Sequence, residues 1–172
     1  TVLVCLLCIG IFTAQFLNQR SLYKATATFC ERQFDREFRQ ALTRLAGAAD
    51  AAACTRLMLT LYHAKDDKTE IARLAQKIGN APGVSNADQS THYADILRDA
   101  YRSYRRTAPT DLTARLWYPP RSWNPLRMLS AAFAHGSWVH LIGNLLFFFA
   151  FAATIEILLG PVLYLAVLIA LA

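Results

Sequence analysis

The two ends of this sequence have almost no charged residues. Residues 1–19 contain no Asp, Glu, Lys or Arg, and residues 128–172 contain only Glu156. Charged residues make up 17% of the chain and hydrophobic residues 55%, against about 25% and roughly 45–50% in a soluble domain. A disordered protein is excluded by this composition, and a disulfide-dense mini-domain by the presence of only 4 cysteines. The apolar ends also argue against a water-soluble globule.

Charge is concentrated in the middle of the chain. All 18 basic residues and 11 of the 12 acidic residues lie between Arg20 and Arg127, so this block carries +7 (18 − 11). A nucleic-acid-binding protein would show a basic stripe with interleaved aromatics on a soluble fold. Here the two signs alternate, and nucleic acid is not an expected partner.

The N-terminal apolar run, residues 2–17, predicts a first transmembrane helix over residues 1–19. About 20 apolar residues cross a bilayer, so the run is slightly short. A signal peptide is the alternative, but the basic start and the small-residue cleavage site are missing. Because the sequence begins without Met, we expect residues before Thr1 in the natural protein.

Residues 20–111 predict a polar helical insert. Apolar residues recur with helical spacing over 34–45, 71–78 and 93–104, and a weaker pattern covers 50–62. We interpret these stripes as core packing, and Asn80-Ala81-Pro82-Gly83 as a helix stop. The basic cluster is either a solvated face or a contact for anionic headgroups; it consists of Arg98, Arg102, Arg105 and Arg106.

Residues 112–129 predict an interfacial loop. Trp and Tyr side chains alternate there with arginines, as is typical of a membrane–water interface, and three prolines prevent one continuous helix. An ordinary Pro-rich linker is the alternative. The aromatic and basic residues concerned are Trp117, Tyr118, Trp123, Arg115, Arg121 and Arg127.

Residues 130–158 predict a second transmembrane helix that contains His140 and Asn144. Polar groups inside a span are functional candidates, and residues four apart stack on one helix face. Both side chains donate hydrogen bonds, so together they could stabilise an oxyanion at low dielectric. Polar contacts between membrane helices are the alternative.

Two other polar residues precede His140. His135 would lie about 140° around the same helix, a poor geometry for a shared metal, and no metal site is expected. Ser137 is poorly placed as a nucleophile. Residues 161–172 begin a third helix of about 18 Å, too short to cross a bilayer, so we expect the chain to continue.

The H-x4-H-x3-N pattern and its surroundings resemble the rhomboid family of intramembrane serine proteases. The resemblance runs from about residue 125 to 160, and the string HGSWVHLIGN at 135–144 is its most specific part. Arg127 matches the arginine of the family's Trp-Arg pair, although Leu126 replaces the tryptophan. Glu156 and Gly160 match the family's later Glu and Gly.

This resemblance implies an all-α, polytopic bundle that cleaves membrane-anchored proteins within the lipid bilayer. It makes His140 and Asn144 part of the oxyanion hole and places His135 at the active-site cavity. Arg127, Glu156 and Gly160 would be structural, and neither a cofactor nor a metal is implied. The family's topology places the protein in the cell (inner) membrane with residues 20–127 on the extracytoplasmic side.

The sequence departs from the family in two respects. Residues 1–172 contain no Gly-x-Ser-Gly, so we expect the catalytic Ser and His further along the chain, with spans one, two and part of three present here. The insert is also longer than the usual loop. An inactive rhomboid-like protein that binds membrane clients is one alternative, and an unrelated transporter or structural membrane protein is another.

The cysteines and flanking charges bear on topology. Arg20 and Lys24 flank the first span and weakly favour a cytoplasmic insert. The family's topology predicts the opposite orientation. We prefer the family's orientation because hydrolysis requires that water reach the site. In an oxidising compartment Cys30 and Cys54 could form a disulfide, and buried free thiols are the alternative.

Overall fold

The computed structural model describes residues 1–32, 34–80, 87–117 and 124–171. Within these ranges all regular secondary structure is helical, which confirms the all-α prediction. The helices are α1 (Val2–Cys30), α2 (Arg36–Ala46), α3 (Ala51–His63), α4 (Asp67–Gly79), α5 (Ala87–Thr107), α6 (Leu112–Leu116), α7 (Pro125–Ala132), α8 (Trp138–Leu159) and α9 (Pro161–Leu171).

The chain divides into two units. The apolar unit comprises Thr1–Gln19 and Asp111–Ala172, and the insert unit comprises Arg20–Thr110. The helix α1 contributes residues to both.

The insert unit has a hydrophobic core built from the predicted stripes. Ala41, Leu61 and Leu97 are fully buried, and Phe29 from the last part of α1 joins them. Aspartates begin α2, α3 and α4, where each side chain accepts a backbone N–H of the first turn, the usual function of Asp at an N-cap. Two local features of the sequence thus determine this core: the Asp residues that begin the helices and the apolar residues at helical spacing that form their buried faces.

A disulfide and a buried hydrogen bond connect the last part of α1 to other helices of the insert unit. Cys30 and Cys54 form a disulfide with Cα atoms 5.7 Å apart, so the structure has the bond and not two free thiols. The Thr26 and Tyr104 hydroxyls are hydrogen-bonded at 2.8 Å in the core. Burial of the ring raises the pKa of the Tyr104 hydroxyl, although the bond to Thr26 opposes this effect.

The arginines of α5 lie on a solvated face. Arg98 and Arg102 pair with acids one turn earlier, Asp95 and Asp99, while Arg105 lies over the ring of Tyr62 at 4.8 Å. The solvated-face interpretation thus accounts for their contacts.

Two helices are long and apolar enough to cross a membrane: Val2–Cys30, and Trp138–Leu159 in the apolar unit. The first extends 11 residues past the predicted end at residue 19. The third predicted span appears as the shorter α9, so among the described residues two helices meet the length for crossing.

The predicted helix over 130–158 is wrong at its start. The chain forms α7 up to Ala132, and α8 begins only at Trp138 because Ser137 caps it, accepting the His140 N–H at 3.2 Å. The predicted interfacial loop contains α6 and the start of α7. Outside the described residues lie Tyr118, Arg121, Trp123 and the Ala81-Pro82-Gly83 part of the predicted helix stop.

Candidate active site

The first two turns of α8 carry the two predicted donors. His140 lies in the first turn and Asn144 one turn later, and both side chains are exposed. Among the described residues, the Asn144 amide has no hydrogen-bond partner. Its N–H groups are therefore available to a ligand.

His135 lies before α8, not on it, so the predicted angle between His135 and His140 was wrong. The residue is 7% exposed, and its Nδ1 lies 3.0 Å from the carbonyl oxygen of Phe133. Because a carbonyl only accepts, this contact requires the proton to be on Nδ1. The His135 and His140 rings meet edge to face with centroids 5.7 Å apart.

Gln15 from α1 fixes the segment that carries His135. Its Oε1 accepts the His135 backbone N–H at 3.4 Å, and its Nε2 donates to Thr113 Oγ1 at 3.2 Å. The side chain is nearly fully buried, at 2% exposure. Our sequence reasoning did not identify Gln15, although a buried amide within an apolar run is itself the signal of a functional or structural polar contact.

Aromatic rings hold the start of α8 against α1. Trp138 packs edge to face on Phe12, with ring centroids 4.7 Å apart, and Phe16 lies 6.1 Å from the same indole. Phe12, Cys8 and Leu141 form a buried cluster beside them. Aromatic pairs of this kind add about 0.5–1.5 kcal/mol beyond area burial, so the first residues of α8 have a defined position.

A cavity of about 530 Å³ lies beside these residues in the apolar unit. His135 and Asn144 provide polar groups in an otherwise largely apolar wall, to which α1, α8 and α9 contribute Cys8, Phe147, Phe151, Tyr164 and Leu168. In apolar surroundings a hydrogen bond to a developing charge is stronger than in water. Asn144 lines this cavity and could donate such a bond, whereas His140 is not among the described residues that line it.

Glu156 and Gly160 lie at the other end of α8. Glu156 is 12 residues beyond Asn144, about 18 Å along the helix axis. Gly160 ends α8 with φ 74° and ψ 161°, and its N–H donates to the Glu156 carbonyl at 2.9 Å. Neither residue takes part in the cavity.

Arg127 is exposed on α7. Its backbone N–H donates to the Asn124 side chain, which caps that helix. Among the described residues no group of three or more His, Cys, Asp or Glu side chains could hold a metal ion.

The Rhomboid domain family model matches residues 122–172. This match assigns that part of the chain to the rhomboid family and confirms the resemblance found in the sequence. Two apolar helices long enough to cross a membrane, taken together with the family match, indicate a membrane protein. No curated protein and no solved structure matches the chain.

Proposed function

We propose that the complete protein is an intramembrane serine endopeptidase that cleaves membrane-anchored proteins, with His140 and Asn144 as oxyanion donors. The family match supports the class of reaction, since rhomboids generally are serine proteases. The observation that carries the assignment of residues is the Asn144 amide, which has no partner among the described residues and lines the same cavity as the buried His135.

The proposed donors act when the substrate carbonyl becomes tetrahedral. Negative charge then develops on its oxygen, and we propose that the N–H groups of Asn144 and His140 donate hydrogen bonds to it. His135, held by the Phe133 carbonyl and by Gln15, is a positioning residue in this scheme because its ring packs on that of His140. The serine and its histidine partner are proposed to come from outside residues 1–172.

The test is replacement of each donor in the complete protein. Asn144→Ala and His140→Ala should each lower kcat by about 10²–10³ with less effect on KM, because one oxyanion donor is lost. Thr154→Ala is the matched control, since Thr154 is another exposed polar residue of α8. Full activity in both donor variants would disprove the oxyanion assignment. If the unmodified complete protein bound membrane proteins without cleaving them, the alternative of an inactive rhomboid-like protein would be favoured.

The chain of 172 residues alone should not cleave a fluorogenic transmembrane substrate. Without the nucleophile no acyl-enzyme can form, whatever His140 and Asn144 contribute. Cleavage above background by the purified chain in detergent would show that the chemistry is misassigned.

We also propose that the insert, residues 20–127, lies on the extracytoplasmic side of the cell membrane. The Cys30–Cys54 disulfide supports this orientation because such bonds persist in oxidising compartments. A Ser103→Cys variant without Cys5 and Cys8 offers an exposed thiol on α5. A membrane-impermeant maleimide should label it in intact cells; labelling only after lysis would reverse the orientation.

A further inference from the structure

Arginines are concentrated on one surface of the insert unit, on α2 and just before it. Two cavities, of about 320 and 450 Å³, have Arg39 and Ala49 in common. Arg32 lines the smaller one, and Arg36 and Arg44 line the larger one. We call these four arginines the α2 basic surface.

Within the described part of the chain, the positive charges of this surface have no acidic partners. On α4 and α5, by contrast, Arg73, Arg98 and Arg102 each pair with an acid one turn earlier. Among the described residues Arg36 and Arg39 form no ion pair.

Arg32 and Arg44 lie over aromatic rings, those of Phe29 and Tyr93, at 5.4 and 5.5 Å. Such contacts orient a guanidinium and leave its charge uncompensated. The α2 basic surface thus differs from the three ion-paired arginines of α4 and α5, because its guanidinium groups have no acidic partner among the described residues.

Three acids close in sequence to the α2 basic surface are already engaged, whereas the exposed Glu31 beside Arg32 is not among them. Asp35 and Asp50 cap α2 and α3, each accepting a backbone N–H at 2.7 Å. Glu37 faces His92 at 3.8 Å. Asp50 also lines the smaller cavity, whereas the described lining of the larger one contains no acid. The larger cavity is therefore the better site for an anionic group.

We propose that the α2 basic surface binds an acidic segment of a polypeptide. Guanidinium groups pair with carboxylates in a bidentate geometry, and arginine clusters recognise acidic motifs. Arg36 and Arg44 are eight residues apart, about 12 Å along the helix axis, a distance that an extended peptide covers in about four residues. The partner is thus a segment with several carboxylates a few residues apart.

The described surface of the insert unit favours a polypeptide over a lipid bilayer. Its only exposed large hydrophobic residue among those described is Tyr23. A surface that adheres to a membrane would combine basic residues with exposed apolar ones that enter the interface. This proposal does not depend on the proposed proteolytic activity.

The test uses the 172-residue chain in detergent and a fluorescent peptide of roughly ten residues rich in Glu and Asp. Fluorescence anisotropy at low salt measures its affinity for the wild type, for Arg36→Gln/Arg39→Gln and for Arg98→Gln/Arg102→Gln. Both variants remove two positive charges, but only the first removes them from the α2 basic surface. We expect the first to weaken binding about five- to tenfold and the second less than about twofold.

Controls and contrary outcomes are distinct. Circular dichroism should show unchanged helicity in the first variant, because neither side chain has an internal ion pair, and a Gln-substituted peptide should not bind. Equal losses in both variants would show attraction by net charge alone and overturn the proposal. The proposal would also be overturned if the first variant bound the peptide as the wild type does but adsorbed less to phosphatidylglycerol vesicles. The partner of the α2 basic surface would then be a membrane.

Discussion

Apolar side chains are largely exposed in the apolar unit and largely buried in the insert unit. In the apolar unit Val139, Ile157 and Leu158 are each about 80% exposed or more, whereas in the insert unit Leu61 and Leu97 are fully buried. Burying apolar surface away from water stabilises the insert unit. The apolar unit instead presents such surface to lipid, where helix association depends on packing and hydrogen bonds. One chain therefore contains regions suited to two different solvents.

The largest expected effect comes from making the same truncation in each unit. Leu97→Ala should destabilise the insert unit by about 2–5 kcal/mol because it empties a site with 0% exposure. Leu158→Ala should change the stability of the apolar unit by less than about 1 kcal/mol, since the side chain is 78% exposed.

Hydrogen exchange of peptides from each unit, in detergent, measures both effects. Tryptophan fluorescence is a second probe, because all 3 tryptophans lie at 117, 123 and 138, in the apolar unit. Equal destabilisation by the two truncations would remove the distinction between the units.

Removing the disulfide should have the next largest effect. Cys30→Ala/Cys54→Ala should lower the free energy of unfolding of the insert unit by about 3 kcal/mol, as expected for a loop with a sequence separation of 24. The control is Cys5→Ala/Cys8→Ala, which removes two free cysteines from the apolar unit. Urea unfolding followed by hydrogen exchange should show increased opening in the insert unit only. Unchanged protection there would mean that the bond contributes nothing to stability.

Gly160 tests how the apolar unit ends its long helix. Its φ of 74° with ψ of 161° is a conformation essentially restricted to glycine, so Gly160→Ala should cost about 1–3 kcal/mol. The loss of stability should appear as faster hydrogen exchange of the backbone amides around the end of α8 and the start of α9. Gly47→Ala is the counterpart in the insert unit, where Gly47 ends α2 with φ 76°. A Gly160→Ala variant of wild-type stability would show that the turn can rearrange without cost.

Gln15 gives the smallest expected effect on stability. Gln15→Leu removes bonds to His135 and Thr113, and membrane hydrogen bonds average only about 0.6 kcal/mol. The His135 amide should nevertheless exchange faster and its ring signals should broaden in NMR spectra. Thr13→Val is the control, because the Thr13 hydroxyl bonds only to its own helix at Ile9. An unchanged His135 environment in Gln15→Leu would show that α1 does not position it.

Local patterns predicted much of the insert unit and part of the site. Helical spacing identified the buried faces of α2, α4 and α5, because water imposes a clear separation of polar and apolar sides. The position of His140 and Asn144 one turn apart follows equally from their spacing of four. The start of α8 was mispredicted because polar and apolar residues do not alternate around an apolar helix. The only local signal for this start was Ser137, which caps the helix.

Sequence patterns alone predicted the helical class, the rhomboid family and the two polar residues of the apolar helix α8, His140 and Asn144. The tertiary structure placed Nδ1 of His135 3.0 Å from the Phe133 carbonyl oxygen. It also decided that Gln15, 120 residues earlier, holds the same segment, and that Cys30 pairs with Cys54. Spacing along the chain encodes contacts within one helix, whereas contacts between helices depend on how their side chains pack.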